Sequence, residues 1–268
     1  MEDTMTTNTT SSSLSNDSPA IELDDVSKFF GDEKHRVEAL RSFDLKVQPG
    51  EFVCLVGASG CGKSTLLSLL ANLDTTSTGT VTTRGRTALM FQEAALFPWR
   101  TAAGNIDIAL KLRNVSRQER KERVAELLDV VRLSEAAKKR PHQLSGGMRQ
   151  RVALARAFAQ DADIVLMDEP FGALDAITRD VLHDELERLW LERKFTTVFV
   201  THNVREAARL GDRVLVLTSR PGRIANELPI GLPRPRRMDS PEVAAYAAQI
   251  TKLLRTEVRR HAHDTRVS

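Results

Sequence analysis

At 268 residues, with 41 % hydrophobic content and a net charge of +3, the chain is long enough for one large domain or two small ones and apolar enough for a substantial core. No apolar run approaches the ~20 residues that a membrane-spanning helix needs, and the start lacks the basic and apolar regions of a signal peptide. The two cysteines, Cys54 and Cys61, are expected as unpaired thiols in a reducing compartment.

Ten of the first twenty residues are Ser or Thr, so residues 1–19 are expected to form a disordered tail. Ile21, Glu22 and Leu23, then the run from Phe43 to Val47, alternate apolar and polar residues as half-buried strands do. Pro49 and Gly50 turn the chain into Phe52, Val53, Cys54, Leu55 and Val56, a short apolar run that reads as a buried strand. Directly after it, Gly57, Ala58, Ser59, Gly60, Cys61, Gly62, Lys63 and Ser64 fit the phosphate-loop pattern G-x-x-x-x-G-K-[ST] without a mismatch. A helix follows from Ser64. Strand, glycine loop and helix aim several backbone N–H groups and a positive helix end at one anion. Gly57, Gly60 and Gly62 are expected to allow positive φ and close backbone approach. Lys63 is placed to reach the β- and γ-phosphates, and the Ser64 hydroxyl to ligate Mg²⁺. The Cys61 thiol, beside Lys63 and a helix N-terminus, is expected to be reactive and shielded by bound nucleotide.

Short strands at Val81 and at Leu89, Met90 and Phe91 come next. Residues 101–160 read as helices, with Ser116 as an N-cap and Val124, Leu127, Leu128 and Val131 at helical spacing. Leu144, Ser145, Gly146, Gly147, Met148, Arg149 and Gln150 open a helix over 148–160, a second helix N-terminus able to face phosphate. Strands return at Ile164 to Met167, Thr197 to Val200 and Arg213–Leu217, separated by helices over 177–191 and Val204–Leu210. That alternation predicts an α/β fold around a mainly parallel, doubly covered sheet. Ile164 to Met167 ends in Asp168, Glu169 and Pro170, about one hundred residues after the phosphate loop. Asp168 suits a metal held through water, and Glu169 a general base for the attacking water. Past Pro233 and Pro235, Ser240 and Pro241 read as the start of a last helix whose face is Val243, Ala247, Ile250, Leu254 and Val258. From Arg220 onward ten Lys/Arg stand against five Asp/Glu, so this tail is basic.

With these motifs in place, about residues 20–230 resemble the ATPase subunits of ATP-binding-cassette (ABC) transporters. The resemblance implies a P-loop ABC ATPase fold: a domain at 20–235 with a small antiparallel β subdomain and a helical subdomain at about 100–160, then a basic helical tail at 236–268. The interval from Lys63 to Gln92 is short for the family, so a hairpin of the small sheet is expected to be trimmed. ATP and Mg²⁺ are the implied ligands. Phe30 resembles the aromatic that stacks on adenine, with Phe29 as its rival, and the implied ATP-binding run extends from Gly57 to Thr65. Gln92 resembles the loop glutamine that contacts Mg²⁺ and the attacking water, joining Ser64 and Asp168. His202 resembles the switch histidine. Ser145, Gly146, Gly147 and Gln150 match the signature that binds the γ-phosphate of ATP held by an opposite copy. Ala173, Leu174 and Asp175 resemble the loop that crosses the dimer interface. Asn203 replaces a common acidic residue and Ala58 a common proline, and neither change removes a phosphate ligand.

Gln92, Glu93, Ala94, Ala95, Leu96, Phe97, Pro98 and Trp99 resemble a segment of importers for nitrate, aliphatic sulfonates and taurine. Ser219, Arg220, Pro221, Gly222, Arg223 and Ile224 point the same way, as do Arg140, Pro141, His142 and Gln143. The implied partners are a second copy of the chain, transmembrane permease subunits and a substrate-binding protein, with no nucleic acid. The implied location is peripheral, on the cytoplasmic face of the plasma membrane. The alternatives are an ABC ATPase of another importer or of a lipid or export system, a mechanical ATPase acting on nucleic acid, and a regulator without turnover. The second predicts coiled coils, zinc modules or a second cassette, and the third a lost Glu169 or His202.

Overall fold

The computed structural model describes residues 18–32 and 35–267, and the tail expected at 1–19 lies almost wholly outside them. Two sheets organise the chain. The smaller is antiparallel, in the order β2-β1-β4, from β1 (Ile21–Phe30), β2 (Val37–Val47) and β4 (Thr78–Thr83). The larger has the order β5-β6-β7-β3-β8-β9, from β3 (Phe52–Val56), β5 (Thr87–Met90), β6 (Ile164–Asp168), β7 (Thr196–Val200), β8 (Arg213–Leu217) and β9 (Ile224–Pro229). Its first five strands are parallel, and β9 closes the edge antiparallel to β8. A single strand, β4, stands between the helix after the phosphate loop, α1 (Lys63–Leu70), and β5.

Every residue of β3, β6 and β7 is buried, as continuous apolar strands require when both faces are covered. Successive side chains point to opposite faces, and the core divides accordingly. Phe52, Cys54, Val56, Met167 and Phe199 join one cluster with α4 (Gly146–Ala159), α5 (Ala176–Arg193), α6 (Val204–Leu210) and α7 (Pro241–Val267). Val53, Leu55, Leu166, Val198 and Val200 join the other with α1 and the small sheet, through Leu66, Leu67, Ile21 and Phe43. Parallel neighbours need crossovers; α5 carries the chain from β6 to β7, and α6 from β7 to β8.

Between β5 and β6 lie α2 (Ala102–Leu112), α3 (Arg117–Val130) and α4. Each begins at a hydroxyl cap: Thr101 accepts from the Gly104 N–H, Ser116 from Glu119 and Ser145 from Met148. Such caps satisfy N–H groups that a helix start leaves free.

After β9 the chain is pinned by arginines. Arg236 is buried and donates to the carbonyls of Ala208, Arg209, Gly211, Ile230 and Leu232. Burial brings its guanidinium down to about 10. Arg234 pairs with Glu187 and Asp212 and lies over the Trp190 ring. The chain then enters α7, where the Ser240 hydroxyl accepts from the Val243 N–H.

Val243, Ala247 and Ile250 are buried against the first cluster, as their spacing predicts. Val258 is not: it is 52 % exposed, and Glu257 is buried in its place, accepting from Arg260. Seven residues past Ile250 return a helix to within about 20° of the same face, whereas eight overshoot by about 80°. Ile250→Ala should therefore destabilise the fold by about 2–5 kcal/mol, and Val258→Ala by less than about 0.5 kcal/mol. Chemical denaturation of both variants checks which face is docked.

Candidate functional site

The site forms where the parallel strands end. β3 stops at Val56, the chain loops through Gly57 to Gly62, and α1 begins at Lys63. Gly60 and Gly62 have φ of 76° and 92°. A Cβ on Gly62 would also stand 2.7 Å from the Ala39 carbonyl oxygen, so only glycine fits. Gly57 differs from the expectation: its φ is not positive, and its role is close approach, since a Cβ there would lie 2.8 Å from the Cys61 sulfur. Lys63 is buried, and its ammonium folds back to donate to the carbonyls of Gly57 and Ala58, both at 2.9 Å.

Cys61 corrects a second expectation. Its side chain is fully buried in the core cluster under the loop, with its sulfur 3.6 Å from the Lys63 ammonium. The thiol points away from the cavity, so it is not an accessible probe of what occupies the loop. Both cysteines are free, as expected.

Around the loop lies a cavity of about 540 Å³. Phe30, Val37 and Ala39 line one part of it, and Gly57, Ser59, Gly60, Gly62, Lys63, Ser64 and Thr65 form its floor. Gln92, Asp168, Glu169 and His202 complete it. The carboxylate of Glu169 is the meeting point: the Gln92 amide donates to it at 3.4 Å, and the His202 Nδ1 lies 3.1 Å from the same oxygen. Glu169 itself has φ of 46°, and its N–H donates to the Val200 carbonyl. That left-handed backbone turns it out of the strand that buries Asp168. Burial pushes the Asp168 carboxyl above its ordinary value, against the Ser64 hydroxyl that bonds to it; the Glu169 charge adds to the rise and Lys63 opposes it.

Sequence reasoning left Phe29 and Phe30 open. Phe30 lines the cavity and is 44 % exposed, whereas the Phe29 ring stacks under the Arg36 guanidinium, 3.4 Å from its centre. Arg220 was missed as a site residue. It lines the same cavity, and its Nε lies 3.4 Å from the Gly60 carbonyl. Gly222 lets this segment approach, for a Cβ there would sit 2.1 Å from the Cys61 carbonyl oxygen. The usable signal was a cation two residues before a glycine; Val37 and Ala39 gave none. Ala58 and Cys61 do not line the cavity.

Ser145, Gly146 and Gly147 stand at the start of α4, away from this cavity, with Ser145 and Gly146 exposed. Gln150 is buried, and its amide donates to the Gln92 carbonyl at 3.3 Å. Ala173 is exposed and Leu174 buried, and Asp175 caps α5 by accepting from the Thr178 N–H. A second concavity of about 480 Å³ opens at the opposite ends of the strands, near Gly50, Val165 and Thr196. Its Arg86 and Arg193 already pair with Asp163 and Asp161, and it has no phosphate loop.

Among the described residues, no group of three or more His, Cys, Asp or Glu is arranged to hold a metal by itself. Ser64 and Asp168 nevertheless offer a bonded pair of hard oxygens beside Gln92. Such a set fits a cation that keeps waters and shares phosphate oxygens.

A family model described as ABC transporter matches residues 40–172. An aliphatic sulfonates import ATP-binding protein of Agrobacterium fabrum is 46 % identical over 88 % of this chain and 83 % of its own. A nitrate import ATP-binding protein of Synechocystis is 41 % identical over 88 % of this chain and 95 % of its own. An uncharacterized ABC transporter ATP-binding protein of Methanocaldococcus jannaschii is 43 % identical over 89 % of this chain and 92 % of its own. Among solved structures, a dimeric ATP-binding cassette in a post-hydrolysis state with ADP and Pi superposes with a TM-score of 0.73. It is 32 % identical, over 78 % of this chain and 98 % of that one.

Because the Asp168 carboxyl titrates above its ordinary value in the folded chain, the stability tied to its protonated form is complete below that ordinary value. It is lost as pH rises through the folded value. Asp168→Asn stays neutral throughout. The nucleotide-free variant should melt above the wild type at neutral pH, with the advantage vanishing in acid. An advantage of equal size at every pH would contradict the assignment.

Proposed function

We propose how this chain works from an established premise: the chain belongs to the ABC transporter family and is an ATP-binding subunit that hydrolyses ATP for transport. The observation that carries the reading is the convergence of the phosphate loop, Asp168, Glu169, Gln92 and His202 on one cavity. ATP enters with its adenine against Phe30 and its phosphates over the loop N–H groups and the start of α1. Lys63 leaves the Gly57 and Ala58 carbonyls for the β- and γ-phosphates. Arg220 adds a second cation at the loop's outer side. Ser64, Asp168 and Gln92 would hold Mg²⁺, which when bound neutralises charge on the phosphates.

Glu169 accepts a proton from, or orients, the attacking water. Gln92 fixes that water from one side, and His202, already against the Glu169 carboxylate, donates to the γ-phosphate from the other. Catalysis needs a second copy. Ser145, Gly146 and Gly147 do not line the cavity of their own chain, and α4 presents its N-terminus outward, ready for phosphate held by a partner. The loop of Ala173, Leu174 and Asp175 lies between the two copies. A closed two-fold pair completes two sites.

The transport partner is a membrane permease that takes a small anion delivered by a substrate-binding protein. Two relatives support nitrate or an aliphatic sulfonate as that anion; taurine belongs to the same chemical class. Among the described residues no helix is long and apolar enough to cross a membrane. The similarity to import ATP-binding proteins supports a peripheral subunit on the cytoplasmic face. Its docking surface is the loop after Gln92, where Phe97 and Trp99 are 38 % and 68 % exposed with ring centres 5.5 Å apart. An exposed aromatic pair beside a catalytic glutamine suits a helix of the permease.

Glu169→Gln should keep ATP affinity while hydrolysis falls by about 10²–10⁴-fold, the usual loss for a general base. The trapped ATP should hold the variant as a dimer in gel filtration. Near-normal turnover would remove Glu169 from the role.

Dilution tests the shared site. Turnover per chain should fall as the isolated subunit is diluted through its dimerisation range, because binding across the interface obeys mass action. Constant turnover from a strictly monomeric protein would sink the two-chain mechanism.

A further inference from the structure

Beneath the catalytic loops lies a set of buried polar side chains that the reading above does not use. Glu206 on α6 is 4 % exposed, Thr201 2 % and His183 on α5 fully buried. One Glu206 oxygen accepts from the Thr201 hydroxyl at 2.5 Å. The other lies 3.4 Å from the Asn203 amide nitrogen, 3.6 Å from His183 Nε2 and 3.7 Å from Arg179 Nε. The Thr201 hydroxyl in turn accepts from the Asn203 N–H at 3.0 Å. The residues on both sides of His202 are thus tied to one carboxylate.

The same cluster reaches the other two loops. Arg179 donates its Nη2 to the Leu174 carbonyl at 2.8 Å, inside the expected dimer loop. His183 meets the Phe171 ring edge-on at 4.7 Å, and Phe171 stands two residues past Glu169. Asp180 lies 3.9 Å from His183 Nδ1. Burial pushes the Glu206 carboxyl up, yet His183, Thr201 and Arg179 together hold it below its usual value.

We propose that Arg179, His183 and Glu206 form a positioning hub that sets His202 against Glu169 and links both to the Leu174 loop. The inference rests on the roles proposed for His202 and Glu169. A buried ionic set is a weak source of stability, since apolar residues of similar volume often serve as well or better. Thr201 and Asn203 hydrogen-bond the Glu206 carboxylate, while His183 and the Arg179 Nε face it at ion-pair distance without hydrogen bonds, so in this low-dielectric interior the Glu206 charge is what orders them. Here the three segments the cluster joins carry the general base, the switch histidine and the dimer loop, and none is held in place by regular strand pairing alone. Movement of the Leu174 loop on dimer contact is transmitted through Arg179 and Glu206 to Thr201, and so to the His202 backbone.

The test uses the full chain with Glu206→Gln, alone and combined with His202→Ala. Gln keeps the shape and an acceptor for Thr201 but removes the charge that faces Arg179 and His183. Hydrolysis is read as single turnovers of radiolabelled ATP, affinity with a fluorescent ATP analogue, and folding by melting temperature. A misplacement of about 1 Å can cost about 10²-fold, so Glu206→Gln should lower kcat about tenfold or more. Nucleotide affinity should stay within about twofold, the pattern of a lost transition-state interaction. In the His202→Ala background Glu206→Gln should bring no further loss.

An unchanged kcat per folded chain, or an equal loss in both backgrounds, would overturn the hub. Should Glu206→Gln fail to fold, Arg179→Lys is read the same way, because lysine keeps the charge but not the fork that spans Glu206 and Leu174. Full turnover by His202→Ala would remove the histidine's own role and the hub with it. A slow His202→Ala beside a normal Glu206→Gln would remove the hub alone.

Discussion

Parallel strand pairing is the constraint on which the site depends. β5, β6, β7, β3 and β8 run in one direction, so their C-terminal ends share one edge of the sheet. The register aligns Met90 with Met167, Asp168 with Val200, and Leu55 with Val200. Each strand then releases a different group at that edge: Gly57 and the loop after β3, Gln92 after β5, Glu169 after β6 and His202 after β7. No local feature of any one segment brings these four together. Open α/β sheets place ligands in this position for the same reason.

Charge is distributed to suit a polyanion. The loop N–H groups and the start of α1 supply positive potential at no desolvation cost, and Lys63 is kept close by the two carbonyls that its ammonium meets. The two carboxylates are separated by backbone geometry. Asp168 remains in the strand, buried and pushed toward its neutral form, where a cation would draw it back to the charged one. Glu169, turned by its left-handed φ, faces Gln92 and His202. Adjacent residues of the same type thus take different environments, which is how neighbouring carboxyls come to serve different chemistry.

The phosphate loop and the strand order class were legible because their signals are local: glycines at fixed offsets, and apolar runs bounded by turns. The edge strand β9 was not, since Ile224–Pro229 is partly exposed and lacks a clean alternation. Side-chain direction was the other hidden quantity. The spacing of Cys61 beside Lys63 suggested a thiol facing the ligand, but the tight turn at Gly60 and Gly62 sends it into the core. At the end of α7 a one-residue difference in the apolar row exchanged Val258 for Glu257. The cluster of Arg179, His183 and Glu206 was invisible for a further reason. Its members lie on two helices that share one core cluster, and singly each reads as an ordinary helix-surface residue.

The helical insertion connects the ends of the proposed mechanism through one element. α4 starts at the Ser145 cap and runs under the loop that follows Gln92. Within its length Gln150 holds the Gln92 carbonyl, and Arg156 donates to the carbonyls of Ala94 and Ala95. The buried Asn105 of α2 adds a bond in each direction to the Phe97 backbone. The exposed aromatics Phe97 and Trp99 therefore stand on a loop fastened to the helix whose N-terminus is proposed to meet the partner's phosphate. A permease pressing on those rings would move Ser145 as part of the same packed unit, because α2 and α4 share one core cluster and close-packed interiors transmit displacement rather than absorb it. Gln92, bonded both to Gln150 and to Glu169, sits where that motion would meet the proposed general base.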